Sequence, residues 1–293
     1  MFLSKMNDST NSGLQHLVLR RNPKQAMRSL AANSLAVWGA LMFLGSGLAF
    51  ASEFPTSDQI AKRLLARARH TAESDTTNHY TYEKRSVVEE MDDRQRVTKS
   101  TEKVYKVVLV RGMPFTRLVK IQGRNLTEAE LTKEDQREAA FRKRIDGVDL
   151  KKKAARREAM ITPDLIDRFD FKVIRREVIR TRPTLVVSFS PKSSAVSDKT
   201  IQDKILSRVA GTLWLDEAES EVTKLQSGLR SALSLGWFGF VGSLTRCDLT
   251  LERERMPDGV WINVKNNMLI IARKLFESMH YRTTEVCSGF RKE

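Results

Sequence analysis

Between Tyr80 and Ile121 the apolar residues recur at every second position: Tyr80 and Tyr82, then Val97, Tyr105, Val107 and Leu109, then Phe115, Val119 and Ile121. A period of two sends successive side chains to opposite faces, so this stretch predicts three strands with one dry face and one polar face. The breaks carry turn chemistry, Met91-Asp92-Asp93-Arg94-Gln95 after the first run and Arg111-Gly112-Met113-Pro114 after the second. A meander with one dry face must bury it, by curling around a cavity or by packing on a helix.

Helical periods flank the meander. Thr56 and Gln59 make a capping box ahead of the stripe Ile60, Leu64, Leu65 and Ala68, with Lys62, Arg63, Arg67 and Arg69 on the other side. Thr127 and Glu130 make a second box, and helix formers of mixed charge continue to about Arg144, followed by Lys151, Lys152, Lys153, Arg156 and Arg157. That basic run is a candidate patch for an anionic surface, although no Trp or Phe stripe accompanies it, as a solvated helix face would also read.

Beyond the helical insertion, Thr162-Pro163-Asp164 starts a short helix. Phe169, Phe171 and Val173 alternate as a strand, Arg180 to Pro183 turns, and Leu185, Val187 and Phe189 run back until Pro191. Thr200 and Asp203 open one or two helical turns. Strands follow at Arg208 to Leu215, from Val222, and at Cys247 to Leu251; after the turn Met256-Pro257-Asp258-Gly259 come Val260 to Ala272 and then Tyr281 to Val286. Leu233-Ser234-Leu235-Gly236-Trp237-Phe238-Gly239-Phe240-Val241-Gly242 suits neither element, and reads as a buried plug or a mobile apolar flap. The whole predicts an α+β fold: about ten antiparallel strands curled into a half-closed barrel, with helices covering its concave side.

The first residues change the compartment. From Leu35 to Ala51 no residue is charged, and the run ends Ala49-Phe50-Ala51, the small-residue spacing of a signal peptidase site. As a membrane anchor these 17 residues reach roughly 26 Å, short of a roughly 30 Å hydrocarbon core. The reading is therefore a secretory signal cleaved after Ala51, with an uncleaved anchor in the inner membrane as the alternative; Met27 rather than Met1 would give a compact start. Residues 52–293 then form one domain with a basic insertion at about 127–160. That domain keeps +11 of the chain's +15, because five basic residues and one Asp leave with the signal. Inside a cell such charge suggests nucleic acid, but in the periplasm the polyanions are lipid headgroups, lipopolysaccharide and acidic proteins.

The order of these elements, with Phe169-Asp170-Phe171, Leu213-Trp214-Leu215-Asp216 and Asp258-Gly259-Val260-Trp261-Ile262, resembles the outer-membrane lipoprotein-sorting proteins, which are similar in fold to the periplasmic lipoprotein carriers of the Lol system. The resemblance covers most of residues 56–290. It implies an apolar cavity under a helical lid that holds acyl chains, and the superfamily includes envelope-stress sensors that bind an anti-sigma factor. On this chain the cavity would be lined by Tyr82, Tyr105, Val107, Leu109, Phe115, Phe171, Leu185 and Phe189, with Trp237, Phe238 and Phe240 at its mouth or floor.

Chemistry offers no competing reading. The sequence holds no Gly-x-Ser-x-Gly elbow, His-Glu-x-x-His, phosphate-binding glycine loop or Cys-x-x-Cys. His70 and His79 have no third ligand at metal spacing, so neither metal nor cofactor is expected. Cys247 and Cys287 are candidates for a disulfide in an oxidising compartment, but a strand lying between theirs would hold them about twice 4.8 Å apart, beyond the bond's reach. Two function classes result: a monomeric, non-enzymatic carrier of lipid or lipoprotein acyl chains, or a sensor that docks on another envelope protein through a sheet edge or the basic helix. On the first-residue evidence, N-terminal sequencing of the exported protein is expected to begin at Ser52; a chain retaining Leu35 to Ala51 establishes the anchor instead.

Overall fold

Hairpins build nearly all of this protein, and their two-residue loops show how. In the computed structural model, which describes residues 53–73, 79–146, 162–193, 200–235, 242–274 and 277–293, strand β1 (Tyr80–Met91) pairs with β2 (Val97–Val110), and β2 with β3 (Met113–Ile121). The β2–β3 loop is Arg111-Gly112 at φ 53° and 73°, and the loop to the two-residue β4 (Arg124–Asn125) is Gln122-Gly123 at φ 49° and 75°. Paired positive φ angles are the turn geometry whose twist matches that of the flanking strands. Arg180-Thr181 joins β5 (Phe169–Ile179) to β6 (Arg182–Pro191) the same way, at φ 48° and 68°, with no glycine to relieve the second position.

The chain continues through β7 (Val209–Asp216), β8 (Val222–Leu229), β9 (Leu233–Leu235), β10 (Gly242–Arg255), β11 (Trp261–Lys274) and β12 (Glu277–Lys292). All join one open antiparallel sheet in the order β4-β3-β2-β1-β12-β11-β10-β8-β7-β6-β5, with β9 beside β10. The short β4 and β9 are the strands beyond the ten that periodicity suggests; β9 corrects the expectation that Leu233 to Gly242 is neither helix nor strand, because Leu233–Leu235 pairs with Gly242–Leu244 at the start of β10. Among the described residues one long-range pairing, β1 with β12, unites the N-terminal strands with the rest.

Helix α1 (Ser57–Glu73) starts with the expected box: Thr56 N–H donates to Gln59 Oε1 at 2.9 Å, and Gln59 N–H to Thr56 Oγ1 at 3.3 Å. Its Ile60 and Leu64 pack on Phe169, Phe171, Val173, Leu185, Val187, Leu213, Leu215 and Val222, the largest buried cluster. Helix α2 (Glu128–Ile145) carries the second box and packs Phe141 and Ile145 on Val110, Met113 and Phe115. It also lies along the outer edge of β3, where Glu134 accepts from Leu118 N–H at 3.1 Å and Arg137 donates to the Thr116 carbonyl at 3.4 Å. Covering an edge in this way satisfies backbone groups that would otherwise recruit another strand. Two short helices, α3 (Pro163–Ile166) and α4 (Ile201–Leu206), precede β5 and β7.

The two long helices do not share one face of the sheet. Directly paired residues lie on the same side. From the α1 cluster the register runs Leu225, Leu251, Asn266, Glu285, Ser86, Lys103, and so to Tyr105, Val107 and Leu109. Phe115 instead pairs with Val108, on the other side of β2. The expectation that the helices together cover one concave side therefore gives way to α1 on one face and α2 over the opposite face and edge. The sheet is open rather than a closed barrel, ending at β5 and at β3–β4.

One end of the sheet is pinned by charge. Arg182 beside the β5–β6 turn donates to both carboxylate oxygens of Asp216 at 2.5 and 2.9 Å, and Asp216 also accepts from Ala218 N–H and Glu219 N–H. Glu221 takes Arg67 of α1 and Arg253 of β10, while Glu219 takes Arg182, Arg255 and the Trp261 indole. Burial opposes charge on Asp216, yet the Arg182 guanidinium and the two backbone donors outweigh it and hold the carboxyl below its ordinary value. A depressed carboxyl adds stability that is full above the unfolded-state pKa and is lost as pH falls through the folded-state value. Asp216→Asn is expected to cost about 2 kcal/mol at neutral pH. The gap in thermal midpoint between wild type and variant should close below about pH 4; a gap independent of pH overturns the assignment.

Candidate functional site

Three neighbouring strands, β12, β1 and β2, place a polar group in the middle of the face that carries α1. Lys84 lies opposite Cys287 on one side and Tyr105 on the other. Its ammonium pairs with Glu285 at 3.0 Å and sits 5.3 Å from the centre of the Tyr105 ring. Asn266, opposite Glu285, gives its amide to that carboxylate at 3.4 Å, while its own carbonyl oxygen is buried without a partner. Lys84 and Glu285 each remain about a quarter exposed, so the pair orients the strands more than it stabilises them.

Burial sets the acidity of the groups beside them. The Tyr82 hydroxyl is pushed up to about 12 by burial, with Cys287 and Glu285 adding to the shift. The Cys287 thiol is pushed up to about 11, again chiefly by burial, with Lys84 opposing and Glu285 assisting. Burial also raises Tyr105. All three stay neutral at physiological pH, and an uncharged thiol is a poor nucleophile. Cys247 and Cys287 are free, and β11 stands between their strands, as the topology read from the sequence requires. Among the described residues no three His, Cys, Asp or Glu side chains gather as a metal site.

The residues expected to line a cavity divide among several environments. Phe171 and Leu185 are buried in the α1 cluster, with Phe189 packed against it and edge-on to Phe169 at 5.4 Å, so α1 fills that part of the face with its own side chains. Tyr82 stacks at 5.1 Å on Phe290 in a smaller cluster with Tyr80, Met256 and Ile262. Val107 is buried opposite Tyr82, Leu109 is half-buried opposite Pro114, and Tyr105 sits under Lys84. Phe115 faces the other way, under α2. Trp237, Phe238 and Phe240 lie outside the described residues, as do Lys151, Lys152, Lys153, Arg156 and Arg157 and the segment 35–51.

A different set of residues forms the apolar surface that α1 leaves half-buried. Cys247, Leu249 and Leu251 of β10 pair with Ile270, Met268 and Asn266 of β11, and Ile270 and Met268 pair onward with Tyr281 and Thr283 of β12. By register these side chains share the face of Tyr105 and Leu225, and none joins a buried cluster. The alternation Cys247-Leu249-Leu251 was visible along the chain; which strands flank it was not, because pairing is not encoded in spacing. Elsewhere, a cleft of about 470 Å³ opens between β3 and α2, and one of about 220 Å³ lies at the pinned turns beside Arg253 and Trp261. No described helix is long and apolar enough to cross a membrane.

No family model and no curated protein matches this chain. Solved structures do. An outer membrane lipoprotein-sorting protein domain from Vibrio parahaemolyticus is similar over 80% of this chain and 93% of its own, at 11% identity and a TM-score of 0.37. A LolA superfamily protein from Nitrosomonas europaea is similar over 80% and 93%, at 10% identity and a TM-score of 0.28. The Pseudomonas aeruginosa MucA/MucB complex contains a chain similar over 80% and 99%, at 10% identity and a TM-score of 0.22.

The Cys287 environment predicts slow alkylation. At pH 8 a thiol titrating near 11 is about one part in a thousand thiolate, so iodoacetamide should modify Cys287 about 100-fold more slowly than free cysteine, accelerating as pH rises toward 11. Denaturing thiol titration without reductant should count two thiols per chain; a count of zero establishes a disulfide and overturns the strand order.

Proposed function

We propose that this chain is an exported, non-enzymatic carrier that begins at Ser52 and holds an acyl chain of a lipid or lipoprotein along the half-buried stripe of β10 and β11. The observation that carries the reading is that stripe: Leu249, Leu251, Met268 and Ile270 lie side by side on the face where α1 packs, yet stay half-buried while the α1 columns are closed. Apolar surface of this kind gains about 0.8 kcal/mol for each methylene it removes from water. The polar group of Lys84, Glu285 and Asn266 beside it would receive the polar end of a bound chain, with the Lys84 ammonium donating to an ester oxygen and the unpartnered Asn266 carbonyl accepting from a hydroxyl or amide N–H. The cleavage site and the short uncharged run support an exported location.

A second reading draws on the opposite border. The edge strand β5 has a bulge between Val173 and Arg175 and exposes Ile174 at 47% and Val178 at 72%. An edge with exposed apolar side chains suits an envelope protein that adds a strand.

Displacement of a bound fluorescent fatty acid separates the two. Affinity for saturated fatty acids should rise with chain length, and Ile270→Glu, which places a carboxylate in the stripe, should abolish the component of uptake that is insensitive to salt while far-UV circular dichroism is unchanged. Absence of displacement at every chain length overturns the carrier reading and favours docking on β5.

A further inference from the structure

We infer that the cleft between α2 and β3 is a second binding site, for a single-chain amphiphile with an anionic headgroup. The cleft measures about 470 Å³ and is walled by Pro114, Phe115, Ala140 and Phe141, with Arg137 and Arg144 as its charged groups and no carboxylate in its lining. The floor is aromatic: the Phe115 and Phe141 rings lie 5.2 Å apart, tilted by 45°. Each ring has a guanidinium over it, Arg137 at 5.6 Å from Phe115 and Arg144 at 5.3 Å from Phe141. This arrangement pairs a flat apolar surface with planar cations held at its rim, which is the shape of an alkyl chain ending in a phosphate or carboxylate.

The two cations contribute unequally. Arg137 spends one nitrogen on Glu134, which is itself buried, and another on the Thr116 carbonyl, so its remaining N–H groups are the ones open to a ligand. Arg144 has no ion-pair partner among the described residues and supplies the uncompensated charge. Of the other acids of α2, Glu138 pairs with Arg117 and Arg142, Asp135 with Arg117 and Glu130 with Arg124, while Glu128 lies in the first turn, at the opposite end of the helix from Arg144. Phe115 pairs with Val108 and so lies on the opposite side of the sheet from the β10–β11 stripe. This site is therefore independent of the proposed carrier face, and its cation Arg144 is not neutralised by a neighbouring carboxylate as Lys84 is by Glu285.

Calorimetry with dodecyl phosphate below its micelle concentration tests the site. Dodecyl phosphate should bind, dodecanol should bind at least about tenfold more weakly, and inorganic phosphate should not bind. Arg144→Gln, on an exposed side chain, should weaken dodecyl phosphate about tenfold, the size of one charge-assisted hydrogen bond, and Arg137→Gln/Arg144→Gln by more. Ile270→Glu should leave it unchanged. Equal affinity for dodecanol, or full affinity in the double variant, overturns the site. Loss in Ile270→Glu alone also overturns it, by moving the ligand to the stripe and leaving the carrier reading intact. Binding to phosphatidylglycerol vesicles without binding of dodecyl phosphate overturns it in favour of a surface patch.

Discussion

The pairing of β1 with β12 is the interaction on which the rest of this structure depends. Tyr80 meets Lys292 and Met91 meets His280, so strands from the two ends of the domain lie side by side along their length. Every other neighbour in the sheet is close in sequence, and without this pair the β1–β4 strands and the β5–β12 strands would be separate sheets. Closing a loop of two hundred residues rather than ten costs only about 3 kcal/mol more, because closure entropy grows with the logarithm of length. Lys84 with Glu285, Arg282 with Glu89 and the Tyr82–Phe290 ring contact lie across the seam and help to offset that cost.

The same seam puts the polar group at the centre of the sheet and divides its α1 face. On one side α1 closes the columns of Leu185, Leu213 and Val222 with Ile60 and Leu64. On the other, β10 and β11 present apolar side chains that stay half-buried. A protein stabilised by its own core on one half of a sheet can leave the other half for a ligand, since the stability and the binding surface then draw on different residues.

Charge follows a similar division of labour. The chain is strongly basic, but many of its arginines are consumed in structural pairs: Arg67, Arg182, Arg253 and Arg255 pin the turns at one end, and Arg117, Arg124 and Arg142 hold α2 to β3, to β4 and to itself. Net charge is consequently a poor guide to where an anion binds. A cation in a lining without carboxylates, such as Arg144 over Phe141, is a better one.

Local chemistry was enough to place the elements. The Thr56–Gln59 and Thr127–Glu130 boxes start helices where they were expected, the alternation of Tyr105, Val107 and Leu109 is a strand, and Met256 to Gly259 is the turn between β10 and β11, because caps, turns and periods of two depend on residues within a few positions of each other. What the periodicity could not supply was which faces meet. Phe115 alternates as regularly as Val107, yet pairing with Val108 puts it on the opposite side, and the bulge after Val173 turns Arg176 toward the side of Leu185. Leu251 and Ile270 became a candidate site only when β10 and β11 were seen to lie beyond the reach of α1. Register and bulges are settled by contacts between strands far apart in the chain, and a one-residue shift reverses every side chain; the tertiary structure therefore decided the site that the sequence could only outline.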